Sequence, residues 1–256
     1  MSKRLISWFS CGAASAVATK LAIQDFGADA VEVIRQDTGS EHPDNERFMQ
    51  DCEEWFGKKV RVVRSEKYAS TWEVFEARKY LAGVAGAPCT SELKRIPAEK
   101  CIDFGVNQQT EIFGYTAEER ERFGKWMENN NERIAVAPLI ERGLTKDDCI
   151  GMIDRAGIEI PEMYKLGYRN NNCIGCVKGG AGYWNHIRQD FPDEFNRMSK
   201  LERKFNAAIN KKYEGEDRVR VFLDELPEDM GDFATEASIS CGLFCMAESE
   251  TLGAEQ

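Results

Sequence analysis

No apolar run in this sequence approaches the ~18 residues that a membrane-spanning helix requires. The first residues lack a secretory-signal layout, because Lys3 and Arg4 precede an apolar stretch only a strand long. The expectation is therefore a cytoplasmic protein with no membrane partner. No internal repeat or low-complexity tract marks the chain. Positive charge is in deficit: 34 Lys and Arg stand against 44 Asp and Glu, a net −10. Such a chain is a poor general binder of nucleic acid or anionic membrane, although a local basic site is not excluded. Histidine is scarce, with two residues in the whole chain, His42 and His186. Also missing are the G-x-G-x-x-G pattern of dinucleotide-binding turns and the Gly-Lys-Ser ending of a Walker A loop.

What the chain does have is 256 residues, 42% of them hydrophobic and 30% charged, the balance of an ordinary globular protein. A chain of that length buries roughly three quarters of its unfolded surface and needs no staples to fold. Its nine cysteines are many. In a reducing compartment they are not disulfides, and an odd number cannot all pair. Their spacing has to be read as metal, catalysis or core.

Strands and helices alternate from the start. Leu5–Phe9 reads as a buried strand, followed by a helical pattern over Ser15–Gln24. Ala30–Arg35 is a second strand, ending at Asp37-Thr38-Gly39. "NERFMQDCEEWFG" places Phe48, Cys52, Trp55 and Phe56 on one helix face, and Gly57 stops it. "KKVRVVRS" is a third strand and "TWEVFEARKYLAG" a helix. A fourth strand ends at Gly114 before a polar loop, and "RIAVAPLIE" is the fifth. "TKDDCIGMIDRAG" carries a capping box, with Thr145 as N-cap and Asp148 three residues on. Cys- and Gly-rich loops follow, then one long helix over "DEFNRMSKLERKFNAAINKKY". This alternation predicts an α/β fold with a parallel sheet covered by helices on both faces. The expected division is a nucleotide-binding core over 1–143 and a helical, Cys-rich extension over 144–256, packed on that core.

Four constellations could carry chemistry. The first is the small-residue turn Ser10–Ser15, where backbone can approach a phosphate and the amides of the following helix donate to it; read alone, it is equally a close-packed structural turn. The second is Asp37 at a strand end, an acceptor for a ribose or an adenine amino group, or simply turn chemistry with Thr38 and Gly39. The third is the cysteine set: Cys89, the C-x-x-C pair Cys173 and Cys176, and Cys241 and Cys245 in "SCGLFC". Thiolates in loops suit zinc or an iron–sulfur cluster. Cys52 and Cys149 lie on apolar helix faces and read as core thiols. The fourth is a scatter of cations, Lys94, Arg95, Arg120, Arg122, Arg169 and Lys178. Beside an anion site they would hold phosphate or sulfate, and elsewhere they are solvated.

Taken together, these segments resemble the phosphoadenosine phosphosulfate (PAPS) reductase family of adenine-nucleotide α-hydrolase-like proteins. The likeness rests on five motifs in order: "FSCGAASAV" at the PP-loop, "DTGSEHPDNERF", "PCTSELKRIP", "GYTAEERERF", and "PLIERGLTKDDCIGMIDRAGIEIPEMYKLGYRNNNCIGC". The run "CVKGGAGYWNHIRQDFPDEFNRM" resembles the phage and plasmid branch of the family. The resemblance implies a Rossmann-like five-stranded sheet of order 3-2-1-4-5. It implies that Ser10, Cys11, Gly12, Ala13 and Ser15 hold phosphates, with Asp37, Thr38 and Gly39 at the nucleoside. Gly114 and Lys94 would line the site, and Arg122 would meet the distal anion. The nucleotide would be PAPS, adenylyl sulfate or ATP. The metal would be a 4Fe–4S cluster on Cys89, Cys173, Cys176 and a fourth ligand, Cys245, with zinc as the alternative.

The chain departs from the family pattern in ways that bear on chemistry. Ala14 stands where ATP-splitting members carry Asp, which weakens magnesium-assisted adenylylation. Cys89 stands alone between Pro88 and Thr90, where cluster-bearing reductases have two adjacent cysteines. "SCGLFC" keeps Cys-Gly-Leu of the family's nucleophile segment without its Glu and His, so Cys241 is both a candidate nucleophile and a rival fourth ligand. The leading expectation is thiol-dependent reduction of PAPS or adenylyl sulfate to sulfite. It would use a thioredoxin-like reductant, and a homo-oligomer is allowed. The alternatives are an ATP-dependent sulfurtransferase acting on nucleic acid, and a non-catalytic nucleotide-binding protein with a structural cluster.

Overall fold

The computed structural model describes residues 4–83, 86–101, 109–215, 217–237 and 239. In chain order its elements are β1 (Arg4–Trp8), α1 (Ala13–Phe26), β2 (Val31–Asp37), α2 (Asn45–Phe56), β3 (Arg61–Arg64), α3 (Thr71–Arg78), β4 (Gln109–Ile112), α4 (Arg120–Asn129), β5 (Ala135–Val136), α5 (Lys146–Arg155), α6 (Ala181–Asp190), α7 (Pro192–Phe205), β6 (Asn210–Glu214) and β7 (Asp217–Val221). Helical turns at Pro88–Thr90, Ser91–Arg95, Ile96–Glu99, Ala117–Glu119, Pro138–Glu141, Glu162–Lys165 and Leu223–Glu225 connect them.

The chain divides into two units. The first holds residues 1–37, 42–65 and 94–171; the second holds 38–41, 66–93 and 172–256. The first unit is built on a parallel five-stranded sheet of order β3-β2-β1-β4-β5. Strand β1 sits at its centre, pairing Leu5 with Val31 on one side and with Thr110 on the other. Its residues from Leu5 to Trp8 are all buried, as a strand in a covered parallel sheet must be. The polar ones are partnered: Ser7 Oγ lies 2.8 Å from Thr19 Oγ1, and the Trp8 indole donates to Glu111 at 2.7 Å. Arg133 grips the same Glu111 with two nitrogens, at 2.7 and 2.5 Å, and its guanidinium lies over the Trp126 ring. This buried pair ties β4 to the chain leading into β5, each charge compensating the other.

Helix α5 completes this core. Cys149 and Ile153 on its apolar face join Val17, Leu21, Phe48 and Cys52 in one cluster. Residues 144–171 therefore fold with the first unit. The cap read from the sequence is present: Thr145 Oγ1 accepts from Asp148 N at 3.1 Å, and the Asp148 carboxylate accepts from Thr145 N at 2.9 Å.

The second unit is arranged around α6 and α7. Trp184, fully buried, meets Tyr183 edge-on at 5.7 Å and Phe195 at 6.3 Å. The Glu236 carboxylate accepts from the first amides of α6, Gly182 N at 2.6 Å and Tyr183 N at 3.0 Å. Helix α6 is not foreseen from sequence, because its start is Gly180-Ala181-Gly182. Three further corrections concern local structure. The polar stretch after Gly114 forms α4, introduced by a capping box of Thr116 and Glu119. The fifth strand is only Ala135–Val136, since Pro138 opens a helical turn where a long strand was expected. The long helix stops at Phe205, where Asn206 takes a left-handed φ of 49°, and the remaining residues pair as the antiparallel hairpin β6–β7.

Glu202 fastens that hairpin. It is fully buried on α7, and its carboxylate accepts from Ile209 N and Leu223 N, both at 2.6 Å. Burial pushes its carboxyl up to about 7, against the pull of those two amides. A folded-state pKa above the unfolded one means the native protein holds the extra proton between those values. Stability from this group is thus fully present below the ordinary glutamate range and is lost as pH rises through about 7. Chemical denaturation of the wild type and Glu202→Gln from pH 5 to 8 should show the wild type losing stability relative to the variant as pH rises. A constant difference across that range would show that Glu202 does not titrate there.

Candidate functional site

The turn between β1 and α1 is held by its own hydroxyls. Ser15 Oγ donates to Gly12 O at 2.9 Å and accepts from Ser10 N and Ser10 Oγ, each at 3.1 Å. Below it, Thr19 Oγ1 donates to Ser15 O at 2.7 Å. Cys11 takes a left-handed φ of 56°, a conformation uncommon outside glycine, so the turn carries local strain. Two groups from the far end of the first unit fix it there: Asn171 Nδ2 donates to Cys11 O at 2.7 Å, and the Tyr164 hydroxyl accepts from Ala13 N at 3.2 Å. Burial pushes the Tyr164 hydroxyl up to about 12, so it stays protonated.

Two glycine positions show how closely backbone meets backbone. A Cβ at Gly114 would stand 2.7 Å from both the nitrogen and Cα of Ser15, and one at Gly12 would reach the Tyr164 hydroxyl at 3.2 Å. The amides of Ala14 and Ser15, in the first turn of α1, meet no protein acceptor among the described residues. An α-helix leaves its first amides without intrahelical partners, and the aligned peptide dipoles favour negative charge there.

The other expected residues are placed as follows. Asp37 ends β2, with its carboxylate held by Arg64 at 2.6 Å. The backbone of Lys94 accepts from Gln36 Nε2 at 2.7 Å. Arg122 pairs with Glu119 at 2.5 Å and lies over the Tyr115 ring at 4.9 Å. Thr38 and Gly39 belong to the second unit. Thr38 Oγ1 lies 3.0 Å from Cys173 Sγ, and Gly39, at φ 63°, leaves no room for a Cβ against Ala69 O.

The C-x-x-C loop of the second unit turns at Gly175, whose φ is 70°. The buried Tyr183 hydroxyl staples it, accepting from Cys176 N at 3.0 Å and donating to Cys173 O at 3.4 Å. Among the described residues no three His, Cys, Asp or Glu side chains gather as a metal group. Cys89, Cys173 and Cys176 thus do not by themselves form the donor set expected of them, and a 4Fe–4S cluster needs four thiolates. Cys241 and Cys245 lie outside the described residues. Cys52 and Cys149 are buried core thiols as expected, and burial pushes the Cys149 thiol up to about 12.

Sequence reasoning missed Tyr164, Lys146 and Asn171. Lys146 Nζ donates to Asn170 Oδ1 at 2.6 Å and lies 5.3 Å from the Tyr164 ring centroid. The signal available was the Tyr and following Asn run inside "YKLGYRNNN", which composition alone does not single out.

Residues 4–180 match the family model described as the phosphoadenosine phosphosulfate reductase domain. A comparison with curated protein sequences yields no match. Among solved structures, the crystal structure of phosphoadenylyl-sulfate (PAPS) reductase from Candida auris, a phosphate complex, aligns at 16% identity and a TM-score of 0.47. The alignment covers 66% of this chain and 81% of that one. Among the described residues no helix is long and apolar enough to cross a membrane.

Gly114→Ala should lower the melting temperature by several degrees, because the added carbon cannot enter without moving the backbone of Ser15. Gly124→Ala, inside α4 with nothing within 4 Å of its Cβ, is the control and should hold or slightly raise the melting temperature, since alanine is the better helix former. Equal melting temperatures for the two variants would mean that the strand-to-helix contact is not as tight as described.

Proposed function

The chain belongs to the phosphoadenosine phosphosulfate reductase domain family, and from that premise we propose that it binds a sulfonated adenine nucleotide, PAPS or adenylyl sulfate, and reduces its sulfonate to sulfite. The observation that carries the reading is the turn itself. Its two unaccepted amides, Ala14 and Ser15, point along a helix whose dipole favours an anion. Gly12 and Gly114 keep side-chain bulk away from it.

In this reading Ser10–Ser15 and the start of α1 hold the phosphate, Asp37 meets the nucleoside, and Arg122 neutralises the distal anion. Arg122 would have to exchange its ion pair with Glu119 for the ligand. Cys241 is the nucleophile. Its thiolate attacks the sulfonate sulfur, the bond from sulfur to the phosphate oxygen breaks, and the nucleotide leaves with that electron pair. A second thiol then attacks the Cys241 sulfur, releasing sulfite and forming a mixed disulfide, which a further thiol resolves. Two thiols are thereby oxidised to a disulfide and the sulfonate gains two electrons.

The proposed steps run on the chain's own groups and outside thiols. A cluster on Cys89, Cys173, Cys176 and Cys245 would need Cys245 and a rearrangement of the other three, so no step passes through it. Anaerobic purification followed by iron, sulfide and zinc analysis checks this part separately: about four irons and four sulfides per chain would restore the cluster.

Ala14, at the position where ATP-splitting members carry Asp, favours sulfonucleotide over ATP. Incubation with PAPS or adenylyl sulfate and dithiothreitol should release sulfite, and Cys241→Ser should abolish release while leaving nucleotide affinity within about twofold. Turnover with ATP alone would contradict the reductase reading, as would tight nucleotide binding with no sulfite.

A further inference from the structure

Lys146 is an unusual cation. It stands at the first position of α5, partly buried. Nζ donates to a neutral group, Asn170 Oδ1, and rests over the face of Tyr164. Among the described residues no carboxylate stands within 4.0 Å of it, although Glu118, Glu119 and Asp147 act on it from farther away. Desolvation and the nearby Arg169 both push its pKa down. A cation withdrawn from water is costly unless an anion or hydrogen bonds compensate it. Here the protein provides one neutral acceptor and an aromatic face.

Its position relative to the turn is fixed by covalent neighbours. Asn170 holds the lysine, and the next residue, Asn171, holds Cys11 O at 2.7 Å. Tyr164 carries Lys146 on its ring and takes the Ala13 amide on its hydroxyl. Two short linkages thus join the ammonium group to the strand-to-helix turn, both within the first unit. Asn171 is buried, with Nδ2 committed to Cys11 O and to Asn45 Oδ1, while its own Oδ1 meets no partner among the described residues.

We propose that Lys146, with Arg169 beside it, is a second anion-binding point of the nucleotide site and selects adenine nucleotides that carry an anionic group besides the 5′-phosphate. The inference deepens the nucleotide reading above and rests on it. The ammonium keeps two N–H donors beyond the one given to Asn170, enough for a charge-assisted contact to phosphate or sulfonate oxygen.

Calorimetric titration of the full chain tests this with adenosine 5′-monophosphate, adenosine 3′,5′-bisphosphate and adenylyl sulfate. Lys146→Met should weaken a doubly anionic nucleotide roughly tenfold or more and the monophosphate by less than about twofold, and Lys146→Arg should recover part of the loss. A loss confined to the bisphosphate puts the second anion on the ribose, and one confined to adenylyl sulfate puts it at the end of the 5′ chain. Either supports the proposal. Equal losses on all three nucleotides, or none, overturn it, with unchanged melting of the variants as the folding control. Wild-type protein that binds none of the three overturns the nucleotide reading itself; wild-type binding with an indifferent Lys146→Met overturns only this inference.

Discussion

Everything at the site depends on how closely two backbones approach. The segment after β4 passes Ser15 so near that one added carbon on Gly114 would stand 2.7 Å from its nitrogen. That approach fixes the first turn of α1, and with it the direction of the amides of Ala14 and Ser15. The hydroxyl of Ser15, bonded to Gly12 O and accepting from Ser10, closes the turn from within. The left-handed φ of Cys11 is the strain that accompanies this geometry, compensated by the Asn171 amide on its carbonyl. A turn held this rigidly is suited to meet an anion without reorganising, which is where binding energy is otherwise lost.

Much of the first unit was legible because its signals are local. Leu5–Phe9 is apolar but for Ser7, so β1 read as a buried strand; the helical spacing of Phe48, Cys52 and Phe56 announced α2; Thr145 and Asp148 announced the start of α5. The order of the strands followed from family likeness and is the order observed. What failed were positions where a residue's meaning depends on distant partners. "RIAVAPLIE", residues 133–141, looks like one strand, but Pro138 lacks an amide to donate to a ladder and turns the chain instead. "NAAINKKY" has helical composition, but Asn206 takes the left-handed conformation and Asn210–Glu214 pairs antiparallel with Asp217–Val221. Helix α6 is obscured by its glycines, whose helical start depends on the Glu236 carboxylate 54 residues beyond Gly182.

The turn after β1 brings Ser10, Gly12 and Ser15 together, and the segment after β4 brings Gly114 against Ser15; a small-residue turn of this kind is legible in sequence as a close approach, whether of a ligand or of backbone. Asp37 ends the second strand as expected, whereas Arg122 lies on α4 and not in the polar loop expected after Gly114; each is engaged by an opposite charge, Arg64 and Glu119. Tyr164 and Lys146 could not be read from sequence, because their role arises from the return of residues 144–171 onto the sheet. The cysteines show the opposite case. Their spacing is suggestive, but thiols form a metal site only when several converge, and spacing along the chain does not determine convergence.

The central claim is that the amides at the start of α1 bind the anionic end of an adenine nucleotide. Backbone amide spectra of isotopically labelled protein, recorded during titration with adenosine 3′,5′-bisphosphate, test it most directly. The account predicts saturable shifts at Ala14 and Ser15, with the amides of α6 and α7 unmoved. Saturation of binding with Ala14 and Ser15 unshifted, and changes centred elsewhere, would contradict it.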